Sequence, residues 1–202
     1  MVAADEALAR LKEGNRRFIA GVRTEKPMSH AERSKLAREQ RPFAIVLGCS
    51  DSRVPAEIVF DQGLGELFVI RVAGNIVSPS QVGSVEFAAE RFGTQLVVVL
   101  GHTQCGAIVA TLDHLRATAQ HPANVLAIVE RIRPSVQTLI ELRPNATEDE
   151  LVHQAVRANV RASVDHLRHG SALLERLIAQ KRLVVVGAEY HLESGQVDFF
   201  ET

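Results

Sequence analysis

The chain has no tryptophan, one tyrosine, two cysteines and only four lysines among its 202 residues. Two thiols allow at most one disulfide, too few for a small secreted scaffold held by cross-links. No apolar run approaches the ~20 residues that a membrane span requires. The opening segment alternates acids with bases and lacks the apolar core of a signal peptide, so the expected location is the cytoplasm. Nor is there a basic excess: 23 Lys and Arg against 24 Asp and Glu give a net charge of −1. That balance excludes the electrostatic footprint of a nucleic-acid binder. Hydrophobic residues make up 46% of the chain, enough apolar surface to offset the entropy of ordering it, and intrinsic disorder is excluded as well. With lysine scarce, 19 of the basic residues are arginine, a side chain suited to planar ion pairs and subunit interfaces.

Four short, uninterrupted apolar runs stand out, at residues 43–48, 67–71, 96–101 and 183–187. Such runs do not alternate polar with apolar, which is the pattern of strands covered on both faces. Helical periodicity fills residues 4–20, 29–39, 80–91, 107–119, 123–140 and 148–180. Pro27 interrupts the first two, and Ser29 and Thr147 are placed to cap the helices that follow them. Strands separated by helices predict parallel pairing through right-handed crossovers. Residues 195–200 supply a candidate edge strand. The expected architecture is one α/β domain: a mainly parallel β-sheet flanked by helices. Residues 1–40 form an N-terminal helical arm and residues 41–202 the core.

In open parallel sheets chemistry gathers beyond the carboxyl ends of the strands. The first run is followed by Cys49-Ser-Asp51-Ser-Arg53 and the third by His102-Thr-Gln-Cys105. A lone cysteine more often packs than reacts. Here both cysteines and a His-x-x-Cys pair fall at one edge of the sheet, and together they form a donor set suited to zinc. Three protein ligands leave a fourth position open, as in catalytic rather than structural zinc sites. Asp51 either closes the site as fourth ligand or pairs with Arg53. Other thiol chemistry fits poorly. Arg53 follows Cys49 by only four residues with Asp51 between them, which spoils a phosphate-binding loop. There is no Cys-x-x-Cys redox pair, and Gly63-Leu-Gly65 lacks the third glycine of a dinucleotide fingerprint.

Three stretches carry a resemblance: Cys49-Ser-Asp-Ser-Arg-Val-Pro-Ala-Glu57, Asp61-Gln-Gly-Leu-Gly-Glu-Leu-Phe-Val-Ile-Arg-Val-Ala-Gly-Asn75 and Gly101-His-Thr-Gln-Cys-Gly106. With the weaker Gly187-Ala-Glu-Tyr-His-Leu-Glu-Ser-Gly195, they resemble the β-class carbonic anhydrases over residues 43–197. The resemblance implies reversible hydration of carbon dioxide to bicarbonate through zinc-bound hydroxide, with one Zn2+ per chain on Cys49, His102 and Cys105. It makes Asp51 and Arg53 a dyad that either leaves the metal open or, when Asp51 swings onto it, closes it. It assigns Gln40 to bicarbonate, Phe68 and Ala73 to the carbon dioxide pocket, and Gly106 to close approach of backbone to the metal. A homodimer or homotetramer embraced by the helical arm is implied too.

Some bacterial members of that class bind inhibitory bicarbonate with a tryptophan, an arginine and a tyrosine. Here Val46 stands at the tryptophan position while Arg71 and Tyr190 match the others, which aligns the chain with the plant-like subgroup. Within the same scaffold, hydrolysis of carbonyl sulfide or carbon disulfide, or a non-catalytic zinc-binding role, are the alternatives. Glu57, Asp61 and the histidines other than His102 read as structural or solvated.

Overall fold

The computed structural model describes residues 1–22, 24 and 28–200. Pro27 lies outside the described residues. In chain order the elements begin with helices α1 (Ala4–Ile19) and α2 (His30–Leu36), strand β1 (Ala44–Gly48) and the short helix α3 (Ala56–Val59). Strand β2 (Leu67–Arg71), a 3₁₀ turn (Ala73–Asn75), α4 (Pro79–Phe92), β3 (Leu96–His102) and α5 (Gly106–Leu115) come next. The chain ends with α6 (Ala123–Leu142), α7 (Glu148–His169), α8 (Ala172–Ala179), β4 (Val184–Tyr190) and β5 (Val197–Phe200).

The sheet order is β2-β1-β3-β4-β5. The first four strands are parallel, and β5 turns back antiparallel along β4. Every residue of β1 and β3 is buried, which is why their sequences run apolar without alternation. Successive side chains still point to opposite faces. Val46 and Val98 pack with Ala7 and Leu11 of α1, whereas Ile45, Leu47, Val97 and Val99 pack with Val85 of α4, Val160 and Val164 of α7 and Leu174 of α8. A fully buried leucine such as Leu11 or Leu174 contributes about 1.5–3 kcal/mol relative to exposure.

Helix α1 is fastened to its own sheet. Gly14 sits against the main chain of Phe60, where any Cβ would collide with the carbonyl group. Buried Asn15 donates to the carbonyls of Val59 (3.1 Å) and Gly195 (2.8 Å) and accepts from the amide of Val197 (2.9 Å). The α1 side chain Arg17 donates to Asp61 at 2.6 Å. Helix α2 is different: Ser29 and Glu32 close a capping box at its start, yet none of its residues is buried. A second capping box, Thr147 with Glu150, starts α7.

Three departures from the sequence expectation have physical causes. The single helix expected over residues 148–180 is two helices. Gly170, which loses more backbone freedom in a helix than any residue with a side chain, is followed by Ser171, whose side chain accepts from the amide of Leu174 and starts α8. The fourth strand runs on to Tyr190 because β3 continues beside it as far as His102. Helix α3 and the 3₁₀ turn escaped notice because four and three residues are too few to display a period. Among the described residues no helix is long and apolar enough to cross a membrane.

Candidate metal centre

Strands β1 and β3 are neighbours and parallel, with Gly48 beside Leu100, so the loops leaving the two strands arrive at the same edge. Cys49 is the first residue beyond β1, and His102 is the last of β3. Gln104, with a left-handed φ of 54°, turns the chain so that Cys105 stands just before α5. The ligand atoms of Cys49, His102 and Cys105 all lie within 4.8 Å of one another, and all three residues are buried. Their walls are apolar: Ile76, Ile108, Ile132 and Val136 pack around the two cysteines.

The histidine's tautomer follows from its partner. His102 Nδ1 lies 2.9 Å from the carbonyl oxygen of Thr103, which only accepts, so Nδ1 carries the proton. Nε2 is then a lone-pair donor, and it is buried with no hydrogen-bond partner. A buried nitrogen left unpaired costs stability unless something binds it. Two thiols and an imidazole nitrogen facing one another are what a soft or borderline metal ion takes, and carbonyl-oriented imidazole is the usual support for such a ligand. The residues therefore fit a metal.

The electrostatics agree. A hydrogen bond from Cys105 pulls the Cys49 thiol down to about 4 against the opposing effect of burial, and the amide of Gly74 also donates to its sulfur, at 3.3 Å. Cys105 is pushed the other way by its thiolate neighbour and by burial. Burial works against a charged His102 ring, but the neighbouring Cys49 sulfur outweighs it, and the net shift is upward.

Asp51 and Arg53 sit at the rim. Arg53 Nε and Nη2 grip the two carboxylate oxygens of Asp51 at 2.9 and 2.7 Å, and the Arg53 amide adds a third bond at 3.0 Å. The Arg53 side-chain bonds hold the Asp51 carboxyl well below the usual carboxylate range. Asp51 Oδ2 stands 3.9 Å from His102 Nε2. Of the two arrangements open in the sequence, the structure has Asp51 turned to Arg53.

The remaining expected site residues divide into two groups. Ala73 opens the 3₁₀ turn beside Gly74 at the metal edge, and Gly106 opens α5 with free space where a Cβ would be. Gln40 and Phe68 belong to the other end of the sheet. Phe68 pairs with Ile45 in β1 and stacks against Phe87 and Phe92 at 6.2 and 6.0 Å. Gln40 is exposed and lines a cleft of about 700 Å³ with Arg38, Phe43, Phe87 and Phe92. The length of β1, roughly 16 Å at 3.3 Å per residue, separates that cleft from Cys49 of the same chain. Val46 is fully buried, and Tyr190 is buried with its ring 6.4 Å from that of Phe18.

Sequence reasoning passed over two features. Gly74, with φ 70°, aims its amide at the Cys49 sulfur; the glycine at a strand end was the available signal. Glu189 is fully buried in β4 and paired with Arg157 at 3.0 Å and His153 at 3.5 Å. Nothing in its local sequence distinguishes it from a solvated acid.

A thiol–imidazole cluster at the carboxyl edge of a parallel sheet, rimmed by a carboxylate–guanidinium pair, defines an α/β protein with a donor set that could hold a metal ion. The sequence signature of the carbonic anhydrase family matches residues 44–197. The carbonic anhydrase of Mycolicibacterium smegmatis is 40% identical over 93% of this chain and 89% of its own length. Carbonic anhydrase 2 of Mycobacterium tuberculosis is 39% identical over 92% and 87%. Among solved structures, a Coccomyxa β-carbonic anhydrase in complex with acetazolamide superposes with a TM-score of 0.75 at 26% identity, covering 96% of this chain and 86% of that one. One of the tetrameric β-carbonic anhydrases of Sordaria macrospora gives 0.75 at 25% identity, over 84% and 86%. The chain belongs to the carbonic anhydrase family, in its β class.

Proposed function

We propose that this chain is a carbonate dehydratase, hydrating carbon dioxide reversibly to bicarbonate and a proton, with one Zn2+ per chain on Cys49, His102 and Cys105. The observation that carries the reading is the buried, unpartnered His102 Nε2 facing two thiols beside the Asp51–Arg53 pair. Zinc in such a site acts as a Lewis acid that makes water a nucleophile near neutral pH.

The chain's own residues supply the rest. Asp51, kept ionised by Arg53, presents an acceptor-only carboxylate that orients the attacking water by taking its hydrogen bond. Gly74 N–H and Thr103 C=O hold the Cys49 sulfur and the His102 ring in place. The apolar wall around the cysteines keeps bulk water off them, and Ala73 and Gly106 leave the approach open to a small linear substrate. Cys49 and Cys105 as thiolates would cancel the charge of a bound zinc ion, so water beside it would be less acidified than beside three neutral imidazole ligands. Activity accordingly rises toward alkaline pH.

Gln40 and Phe68 act from a second copy of the chain, because the sheet separates them from the metal edge of their own. In support, α2 buries none of its residues, Phe87 beside Phe68 is 55% exposed, and Met1, Val2 and Leu36 of the arm line the same cleft as Gln40 and Phe87. A homodimer or homotetramer, a cytoplasmic location and the plant-like subgroup complete the reading.

Stopped-flow hydration of carbon dioxide at about pH 8.5 and about pH 6.5 tests it, the faster rate being expected at the higher pH. Hydrolysis of carbonyl sulfide without carbon dioxide hydration, or metal bound without turnover of either, would overturn it.

A further inference from the structure

Arg71 closes β2, and among the described residues its guanidinium pairs with main-chain carbonyls rather than with a carboxylate. Nε donates to the carbonyl of Cys49 at 3.0 Å and Nη2 to the carbonyl of Asp51 at 2.6 Å. The main chain reinforces this junction: Gly48 pairs with Arg71 in the sheet, and the amide of Val72 donates to the Gly48 carbonyl at 3.1 Å. One planar fork thus spans the two carbonyls on either side of Ser50. The residues it grips bear the first thiol of the metal centre and the carboxylate of the dyad.

We propose that Arg71 is a positioning residue for the metal centre: it clamps the backbone of residues 49–51 so that the Cys49 sulfur and the Asp51 carboxylate are held in register with His102 and Cys105. Past the end of β1 the strand ladder stops, and the Cys49 carbonyl needs a donor from elsewhere, while the Asp51 carbonyl shares its lone pairs between Arg71 and the Val54 amide. Arg53 restrains Asp51 through the side-chain carboxylate and its own amide, and the Val54 amide donates to the Asp51 carbonyl at 3.0 Å, but neither residue reaches the Cys49 carbonyl. Arg71 is the side chain that ties the Cys49 and Asp51 carbonyls to each other and to β2. A guanidinium presents its donors in a rigid plane, so two carbonyls bound by one fork fix their relative orientation; an ammonium on a flexible stem satisfies either but not both in a set geometry. Supporting partners of metal ligands characteristically carry 10–100-fold in metal affinity or activity.

The inference rests on the reading of this edge as a metal centre, and its test separates the two. Zinc affinity of the wild-type chain, Arg71→Gln and Arg71→Lys is measured by competition with a chromogenic chelator, and the visible d–d bands of the cobalt-substituted proteins are recorded alongside. Thermal melts confirm that each variant is folded. Tight binding by the wild type, about tenfold or more weakening in Arg71→Gln, altered cobalt bands, and only partial recovery in Arg71→Lys support the clamp. Wild-type affinity and bands in Arg71→Gln overturn it, and so does full recovery in Arg71→Lys, which would reduce Arg71 to a positive charge. Failure of the wild type to bind zinc at all overturns the metal-centre reading instead.

Discussion

Gly74 joins backbone conformation, packing and metal-site electrostatics at one position, and Gly74→Ala separates them. Its φ of 70° lies in the left-handed region, where an L-residue pays roughly 1–2 kcal/mol. An added Cβ would meet Ile132 Cδ1 at 2.8 Å and Ala107 Cβ at 3.0 Å. Ile132 is fully buried, so it cannot move aside freely, and overpacking of this kind costs about 1–3 kcal/mol. Together these give about 3 kcal/mol, a lowering of Tm by roughly 6–12 °C for a chain of this size. Relief of the clash also shifts the amide that donates to the Cys49 sulfur at 3.3 Å, and zinc affinity falls by about tenfold. Because bound metal stabilises the native state by mass action, the melts are run on chelated protein and the affinity is measured separately. A Tm within a degree or two of the wild type, together with unchanged affinity, would refute the reasoning.

Other perturbations have equally definite outcomes. Asp61 is buried and pulled in two directions: burial raises its pKa, while Arg17 and the amide of Thr24 lower it and prevail. A depressed folded-state pKa means that the stability it lends is complete above the unfolded value of about 4 and is lost as the pH falls below that. Asp61→Asn should therefore lower the urea midpoint at neutral pH, by the equivalent of about 1–3 kcal/mol, and flatten its decline between about pH 5 and pH 3; an unchanged acid profile would contradict this. Arg53→Lys keeps the charge but loses the two-pronged grip on Asp51, so kcat/KM should drop at least about tenfold while zinc is retained. With Val46 buried in β1 and no tryptophan in the chain, hydration initial rates should show no cooperative inhibition by bicarbonate; a Hill coefficient well above one would sink that expectation.

Much of this molecule could be read from its sequence for a simple reason: buried parallel strands need apolar residues at every position. The runs ending at Gly48 and Gly101 announced both the sheet and the edge where Cys49 and Cys105 meet. Helix boundaries were less legible where a break depends on one backbone position, as at Gly170 and Ser171. Long-range polar pairing was least legible. The Arg71 fork on carbonyls 49 and 51 and the burial of Glu189 against Arg157 join segments 20 and 32 residues apart, and no local pattern encodes them. Gln40 shows a different limit, since its distance from Cys49 in sequence is short while the sheet sets them at opposite ends.

On the proposed function, Cys49, His102 and Cys105 hold one zinc on which carbon dioxide hydration depends. Stripping the protein with a chelator and titrating zinc back, with hydration followed by stopped flow at each addition, tests it most directly. Activity that vanishes on stripping and returns linearly up to a break at one zinc per chain is the predicted result, with Cys105→Ser abolishing the recovery. Activity that survives complete metal removal, or that fails to return with one equivalent tightly bound, would contradict the account.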